Sequence, residues 1–190
     1  MNTLKSIAVF CGSNNGTSPE YCAMAGALGN RLAAEGIRLV YGGGNMGVMG
    51  ELARAVMAGG GSAIGVIPER LNAVVDHIDL TELQVVSTMH ERKQRMYDLA
   101  DAFIILPGGI GTMEEMMEVW TMNQLSEIDK PVGLLDIENF FAPFLAFIDH
   151  MVATKFLPAA HRYSICVDPE PAALLDKLRR FQKTDVPKWL

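Results

Sequence analysis

A glycine-rich turn between an apolar run and a helix-forming segment is the stretch of this sequence best suited to bind an anion. The apolar run at residues 102–106 is followed by PGGIGT at residues 107–112 and then by MEEMMEVW. Glycines let a ligand approach the backbone closely, and the first turn of a helix presents unpaired N–H groups that the helix dipole reinforces. We therefore expect a phosphate at this turn, held without any basic side chain.

A basic pair on the preceding predicted helix, residues 88–100, is the second candidate for chemistry. Arg92 and Lys93 fall three and four residues after Met89, so they lie on the apolar stripe that also contains Met96. A charge on an apolar face is costly unless it is compensated. The two side chains either reach past the core or pair with a glutamate, or they meet an anionic ligand. The nearby glycine turn favours the ligand.

The helix after the glycine turn carries the acidic candidates, Glu114 and Glu115, which we place in its first turn. Acidic residues are common there simply because they complement the helix dipole, so position alone does not assign them a function. The same helix has two apolar sides, which favours packing on a second subunit as well as on the sheet, although one large core is the alternative. One side comprises Met113, Met116, Met117 and Trp120, and the other comprises Val119, Met122 and Leu125.

Apolar runs alternate with amphipathic segments along the chain, a pattern typical of a parallel sheet covered by helices on both faces. We predict a single domain spanning residues 1–190, a Rossmann-like three-layer α/β fold with about six to seven mostly parallel strands. Ligands of such sheets bind at the carboxyl ends of the strands, where the glycine loops near positions 12, 42 and 108 would lie. The predicted strands are residues 7–11, 37–41, 62–67, 83–87, 102–106 and 131–135.

The second glycine loop formally matches a dinucleotide-binding motif, with Gly42, Gly44 and Gly47 in GxGxxG spacing. A full dinucleotide site would also place an acidic residue about 20 positions further on, to hold a ribose hydroxyl. Residues 59–67 contain none. Close packing of strand and helix, with part of a mononucleotide site, is the better interpretation.

Composition limits the classes of partner. The 190 residues carry a formal net charge of −6, which argues against nucleic acid or an anionic membrane as a main partner. The longest apolar stretch, residues 140–148, is much shorter than the about 20 residues that span a bilayer. The apolar N-terminal segment is interpreted as the first strand and residues 184–190 as peripheral. Three widely spaced cysteines, Cys11, Cys22 and Cys166, fit a reducing, cytoplasmic compartment, and we expect all three to be buried and inert.

The sequence resembles the LOG family, the cytokinin riboside 5′-monophosphate phosphoribohydrolases, which are often mislabelled lysine decarboxylases. PGGIGTMEE at residues 107–115 fits the family motif PGGxGTxxE. Three further stretches resemble the family in the family's order, and with a fourth at residues 129–136 the resemblance covers roughly the first 150 residues. These stretches are CGSNNGTSPEY at 11–21, YGGGNMGVMG at 41–50, MHERK at 89–93 and DKPVGLLD at 129–136.

The resemblance implies a homodimeric, cofactor-free hydrolase that splits a nucleoside 5′-monophosphate, such as AMP or isopentenyl-AMP, into free base and ribose 5-phosphate. It implies Arg92 and Glu115 as the catalytic pair. A carboxylate beside C1′ would stabilise the positive charge that develops on the ribose, whereas Arg92 could hold the phosphate or assist the departing base. The implied substrate-binding residues are Gly12, Ser13, Gly43, Gly47, Met89, Lys93, Gly108, Gly109, Gly111, Thr112 and Glu114.

Two departures from the plant pattern affect base preference. The stretch LNAVVDHID at residues 71–79 lacks an early acidic residue, and Ile110 and Met113 replace a common tyrosine and leucine. Adenine and prenylated adenine both remain open as the base.

Two other classes of function compete with the hydrolase. A non-catalytic nucleotide-binding or carrier protein would use the same glycine loops but would not need Glu115 beside Arg92. A pyridoxal-phosphate lysine decarboxylase needs a Schiff-base lysine, for which only Lys93 is suitably placed. Cys11 lacks a histidine placed to activate it and is expected to be a core thiol. No metal site is predicted, because the histidines are scattered at His77, His90, His150 and His161.

Overall fold

A computed structural model describes residues 3–76 and 78–183 of the chain. Its centre is a sheet of seven strands in the order β4-β3-β2-β1-β5-β6-β7, and every neighbouring pair is parallel. The predicted α/β fold is therefore confirmed, and β7 is a strand to which the sequence interpretation gave no range. The strands are β1 (Ser6–Phe10), β2 (Arg38–Tyr41), β3 (Ala63–Pro68), β4 (Glu82–Val86), β5 (Ala102–Ile105), β6 (Val132–Leu135) and β7 (Ile165–Asp168).

Helices cover both faces of the sheet. Alternate residues of β1 point to opposite sides: Ile7 packs in the core layer beneath α1, α2 and α8, and Phe10 packs in the layer beneath α4, α5 and α6. Burial on both faces explains why the central strands appear as unbroken apolar runs in the sequence. The helices are α1 (Pro19–Ala34), α2 (Gly47–Ala58), α3 (Glu69–Asn72), α4 (Met89–Leu99), α5 (Ile110–Gln124), α6 (Ala142–Ala153), α7 (Ala159–Arg162) and α8 (Pro171–Arg180).

Helix α5 begins earlier than the sequence predicted. Gly109 is its N-cap, with φ −92° and ψ −158°, so Ile110 is already the first helical residue. Glu114 and Glu115 consequently lie in the second turn, and the prediction that they occupy the first turn is wrong. Complementing the helix dipole is therefore no explanation for them, because that effect fades within the first turn.

Several burial predictions also need correction. Met89 was placed on the inward stripe of α4, but it is 44% exposed because it is the first residue of the helix, whereas Tyr97, which the stripe omitted, is buried. Cys11 is buried as expected, but Cys22 and Cys166 are only half-buried. His77 and residues 184–190 lie outside the described residues. Within the described ranges, no helix combines the length and the apolar character needed to cross a bilayer.

Candidate active site

A cavity of about 480 Å³ opens at the carboxyl ends of the central strands, where β1 and β5 lead into their loops. That volume lies in the range of about 300–1,000 Å³ typical of small-molecule sites. Among the described residues lining it, Arg92 is the only cation and Glu115 the only acidic group. The lining comprises Cys11, Gly12, Ser13, Asn14, Asn15, Gly16, Tyr21, Val48, Met49, Arg92, Pro107, Gly108, Gly109, Ile110, Gly111, Thr112, Glu115 and Phe140.

The N-terminus of α5 forms one wall of the cavity. Met113 is the first residue whose N–H returns to the helix, donating to the carbonyl of Gly109 at 3.1 Å. The N–H groups of the three preceding residues therefore have no intrahelical acceptor. A Cβ atom built at Gly109 or Gly111 would meet nothing within 4 Å, so the space over these N–H groups is open to a ligand. This geometry suits an anion, and the phosphate expected at this turn stays a prediction.

Gly108 serves the packing of two loops against each other. A Cβ atom there would lie 2.2 Å from Thr112 Oγ1 and 2.8 Å from the nitrogen of Gly12. Gly12 in turn donates its N–H to the carbonyl of Pro107 at 3.0 Å. A larger residue at position 108 would separate the β1 and β5 loops, so this glycine sets the width of the cavity floor.

The Arg92–Glu115 ion pair lies across the inner end of the cavity. Arg92 Nη1 donates to Glu115 Oε1 at 2.7 Å, and the two side chains are only 11% and 10% exposed. Arg92 Nε also donates to the carbonyl of Val66 at 3.1 Å. The N-cap Thr88, which accepts from the N–H of Glu91 at 3.1 Å, fixes the start of α4 and hence the position of Arg92. A guanidinium and a carboxylate are thus held together in a site with little solvent.

Burial controls the protonation of Glu115. Loss of water raises the pKa of its carboxyl, and the nearby Arg92 charge lowers it without cancelling the effect of burial, so the pKa stays above its ordinary value. The pKa of the Cys11 thiol is also raised, first by burial and then by the charge of Glu115. Cys11 therefore stays a neutral thiol, which fits the core role expected for it rather than that of a nucleophile.

Lys93 does not face the cavity. Its Nζ atom lies 2.5 Å from Glu114 Oε1 and 2.7 Å from Glu118 Oε2, and none of these three residues lines the cavity. Burial lowers the pKa of Lys93, but the hydrogen bonds to the two glutamates outweigh burial and raise it. The sequence left two alternatives for Lys93, an anionic ligand or pairing with a glutamate, and these contacts match the pairing. Glu114, which shares this network, does not line the cavity either.

Three other predicted site residues stand behind the lining rather than in it. Gly43 and Gly47 adopt φ values of +79° and +62°, which favour glycine, and a Cβ atom at Gly47 would lie 2.4 Å from the backbone of Ser13. Gly47 therefore supports the β1 loop from behind. Met89 does not line the cavity, but its sulfur accepts a hydrogen bond from Arg92 Nη1 at 3.5 Å.

The sequence analysis missed an aromatic pair in the lining. Tyr21 ends the stretch at residues 11–21 and Phe140 begins the apolar stretch at residues 140–148, but neither was predicted to line the site; their rings meet edge to face at 6.0 Å. Phe140 follows Glu138 and Asn139, two non-glycine residues with positive φ. The order of the strands could have indicated that Phe140 lies near the site, since the carboxyl end of β6 lies beside that of β5.

The described residues contain no cluster of His, Cys, Asp and Glu able to hold a metal ion.

Comparisons with known proteins agree on a family and on a fold. Residues 49–178 match a family model described as possible lysine decarboxylase. The protein named cytokinin riboside 5′-monophosphate phosphoribohydrolase LOG from Oryza sativa subsp. japonica is 46% identical, covering 93% of this chain and 74% of that protein. A protein of Rhodococcoides fascians with the same enzyme name is 44% identical, covering 90% of this chain and 88% of that protein. A molybdenum cofactor binding protein from Rippkaea orientalis superposes with a TM-score of 0.68 over 92% of this chain and 95% of that one. At 22% identity, this last similarity shows the fold alone.

Proposed function

The chain belongs to the LOG family, whose sequence model is described as possible lysine decarboxylase, and from that premise we propose that it is a nucleoside 5′-monophosphate phosphoribohydrolase. The reaction breaks the bond between C1′ of the ribose and the base nitrogen. Water supplies the oxygen that bonds to C1′, and a proton passes to the departing base. The products are free base and ribose 5-phosphate. The observation that carries the proposal is the buried Arg92–Glu115 pair, which lines the same cavity as the open N-terminus of α5.

The 5′-phosphate is assigned to the glycine turn. Free N–H groups at the start of α5 and the open space at Gly109 and Gly111 support an anion there. Thr112 and Ser13 line the same region and offer hydroxyl groups. Gly12 and Gly108 contribute by letting the two loops approach each other. Recognition of the phosphate would therefore rest mainly on backbone groups.

Catalysis is assigned to Glu115 and Arg92. A buried carboxylate beside C1′ would stabilise the oxocarbenium-like charge more strongly in the transition state than in the substrate. Because burial raises the pKa of Glu115, the ion pair with Arg92 helps to keep the carboxyl ionised. Arg92 is thus given two tasks, holding Glu115 in its charged form and offering its remaining donors to the phosphate or the departing base.

The remaining binding residues are proposed to act indirectly. Lys93 and Glu114 tie α4 to α5 and so keep Arg92 and Glu115 in contact. Gly43, Gly47 and Met89 support the lining from behind. At the entrance, the exposed side chain of Ile110 and the ring of Phe140 offer apolar surface, which is compatible with adenine and with a prenylated base.

The pyridoxal-phosphate alternative finds no support in the placement of lysines. Among the described residues, no lysine lines the cavity, and Lys93 is bound to Glu114 and Glu118 with a raised pKa. A Schiff-base lysine needs a neutral amine facing the cofactor, and both conditions oppose that role.

We further propose that the protein acts as a homodimer in the cytoplasm. Met117 and Leu125 on α5 and the neighbouring Met89 on α4 are exposed apolar side chains that a second subunit would cover. Val119, by contrast, is fully buried in the chain's own core, so only part of the second apolar side of α5 is available. Light scattering coupled to size-exclusion chromatography should give twice the mass of the 190-residue chain. A monomer mass at micromolar concentration would contradict the dimer.

The test of the proposed activity compares three substrates. Purified protein is incubated with AMP, isopentenyl-AMP or adenosine, and free base is resolved by chromatography. We expect base release from one or both monophosphates and little from adenosine, because the α5 turn has no anion to bind in a nucleoside. Equal turnover of adenosine would contradict the phosphate site. Binding of AMP without any base release would favour a carrier protein.

A further inference from the structure

Gly42, the residue directly after β2, faces the guanidinium of Arg92. A Cβ atom built at Gly42 would lie 2.3 Å from Arg92 Nη2. Non-bonded heavy atoms pack best at about 3.5 Å or more, so the space that a methyl group would fill is taken by the guanidinium. Gly42 is therefore part of the surface against which Arg92 lies, although it does not line the cavity.

The other contacts of Arg92 leave it little room to yield. Nε is bonded to the carbonyl of Val66, and Nη1 is bonded to Glu115. The guanidinium is planar, so fixing Nε and Nη1 also fixes where Nη2 must lie. A methyl group at Gly42 would therefore displace the guanidinium and strain these two hydrogen bonds.

Backbone conformation does not explain the glycine. Gly43 and Gly47 of the same loop have positive φ, but Gly42 and Gly44 do not, so alanine is compatible with the backbone at both of these positions. Gly42 differs from Gly44 in the atoms that an added Cβ atom would meet. A Cβ atom at Gly44 would meet Met49 Sδ at 3.3 Å and Val75 Cγ1 at 3.8 Å, which is tolerable against flexible side-chain ends.

We infer that Gly42 is a positioning residue for the hydrolysis: its missing side chain lets Arg92 bond Val66 and Glu115 at the same time. This inference rests on the proposed function, because it matters for turnover only if Arg92 and Glu115 carry out the reaction. The guanidinium is the tightest of the contacts that a Cβ atom at Gly42 would make, since Cε and Sδ of the flexible Met49 side chain lie at 3.3 Å.

Gly42→Ala and Gly44→Ala form a matched pair for the test. Both add one methyl group to the same loop, and both methyl groups approach Met49 Sδ to 3.3 Å. We expect Gly42→Ala to lower kcat/KM for AMP by about tenfold or more, since misplacing a catalytic group by about 1 Å can cost up to about a hundredfold. Gly44→Ala should stay within about twofold of the unsubstituted protein. Equal activities of the two variants would overturn the inference.

A double-mutant cycle separates positioning of Arg92 from a general effect on the loop. Arg92→Lys removes Nη2, so adding Gly42→Ala to Arg92→Lys should change the remaining activity by less than about twofold. A further loss as large as that of Gly42→Ala alone would show that the methyl group acts elsewhere and would overturn the inference. If Gly42→Ala does not fold, recovery of folding in Gly42→Ala/Arg92→Lys supports the inference, and its absence contradicts it.

The pH profile provides a second readout. Displacing Arg92 removes the main influence that lowers the pKa of Glu115, so the acid limb of kcat/KM should move to higher pH in Gly42→Ala and not in Gly44→Ala. The titratable groups that interact with Glu115 are Cys11, Arg92, Lys93, Tyr97 and Glu114. An unshifted acid limb in Gly42→Ala would mean that Arg92 has not moved, and it would overturn the inference.

Full activity of Arg92→Lys and Arg92→Ala would instead remove Arg92 from the proposed function, a result distinct from failure of the Gly42 inference.

Discussion

Two sets of ion pairs, one residue apart in the chain, join α4 to α5, and only one of them faces the cavity. Arg92 and Glu115 meet at the inner end of the cavity with both side chains about one-tenth exposed. Lys93 meets Glu114 outside the cavity lining, where the lysine is 9% and the glutamate 53% exposed. Neighbouring helical residues point about 100° apart, so a single step along each helix separates a cavity-facing pair from a pair near the surface.

This difference shows which pair suits catalysis. A desolvated charge interacts strongly with its neighbours, whereas an exposed pair is weakened by water and salt. The buried pair also carries the cost of desolvation, visible in the raised pKa of Glu115. In the other network only Lys93 is buried: Glu114 and Glu118 keep contact with solvent, and their hydrogen bonds outweigh the effect of burial on the pKa of Lys93.

Removing the cation of the buried pair should have the largest effect. Arg92→Met is expected to lower kcat/KM for AMP by about a hundredfold or more, the scale seen when one preorganised electrostatic group is lost. An uncompensated buried charge costs about 3–5 kcal/mol, and Glu115 can avoid part of this cost by taking up a proton. Steady-state kinetics provides the measurement, and activity within threefold of the unsubstituted protein would contradict the assignment.

The stability of Arg92→Met should depend on pH. A carboxyl whose pKa is raised on folding binds more protons in the folded state, so its contribution to stability is present at low pH and is lost as pH rises through the folded pKa. Without Arg92, the pKa of Glu115 rises further. Relative to the unsubstituted protein, the variant should therefore lose more Tm at pH 8 than at pH 5.5, and an equal loss at both would contradict the raised pKa.

Breaking the other pair should have a smaller effect. Lys93→Met keeps the length of the side chain and leaves Glu114 and Glu118 in contact with solvent, so we expect a loss of at most about 1 kcal/mol in stability. Turnover should fall by less than about fivefold, because Arg92 and Glu115 remain in place. A loss matching that of Arg92→Met would contradict this ranking, because it would mean that turnover depends on Lys93 as strongly as on the buried pair.

The sequence predicted the fold well because strands buried on both faces leave a strong signal. The runs around Ile7 and Ile104 are apolar without interruption, and the glycine turns mark where the strands end. Most strand boundaries shifted by one residue, since apolar residues such as Cys11 and Leu106 continue past the last paired residue into buried loops.

The site was harder to predict because it depends on helical phase and on loops. Placing the start of α5 too late put both glutamates in the first turn and left Glu115 to be identified by family resemblance. Helical periodicity placed both Arg92 and Lys93 inward, which their burial bears out, but it could not distinguish the cavity from the α4–α5 contact. Phe140 follows two successive residues with positive φ, Glu138 and Asn139, and only the asparagine is of a type that favours such values, so the local sequence did not predict this turn.

The most direct test compares Glu115→Gln with Glu114→Gln, two nearly isosteric changes that each remove one negative charge. AMP affinity is measured by calorimetry and adenine release by chromatography for both variants. We expect Glu115→Gln to bind AMP nearly normally and to release adenine at least about a hundredfold more slowly. Glu114→Gln should retain turnover within a few-fold, because Glu114 lies outside the cavity lining, is half exposed and leaves Lys93 paired with Glu118. Near-normal adenine release by Glu115→Gln would contradict the assignment of catalysis to the buried pair.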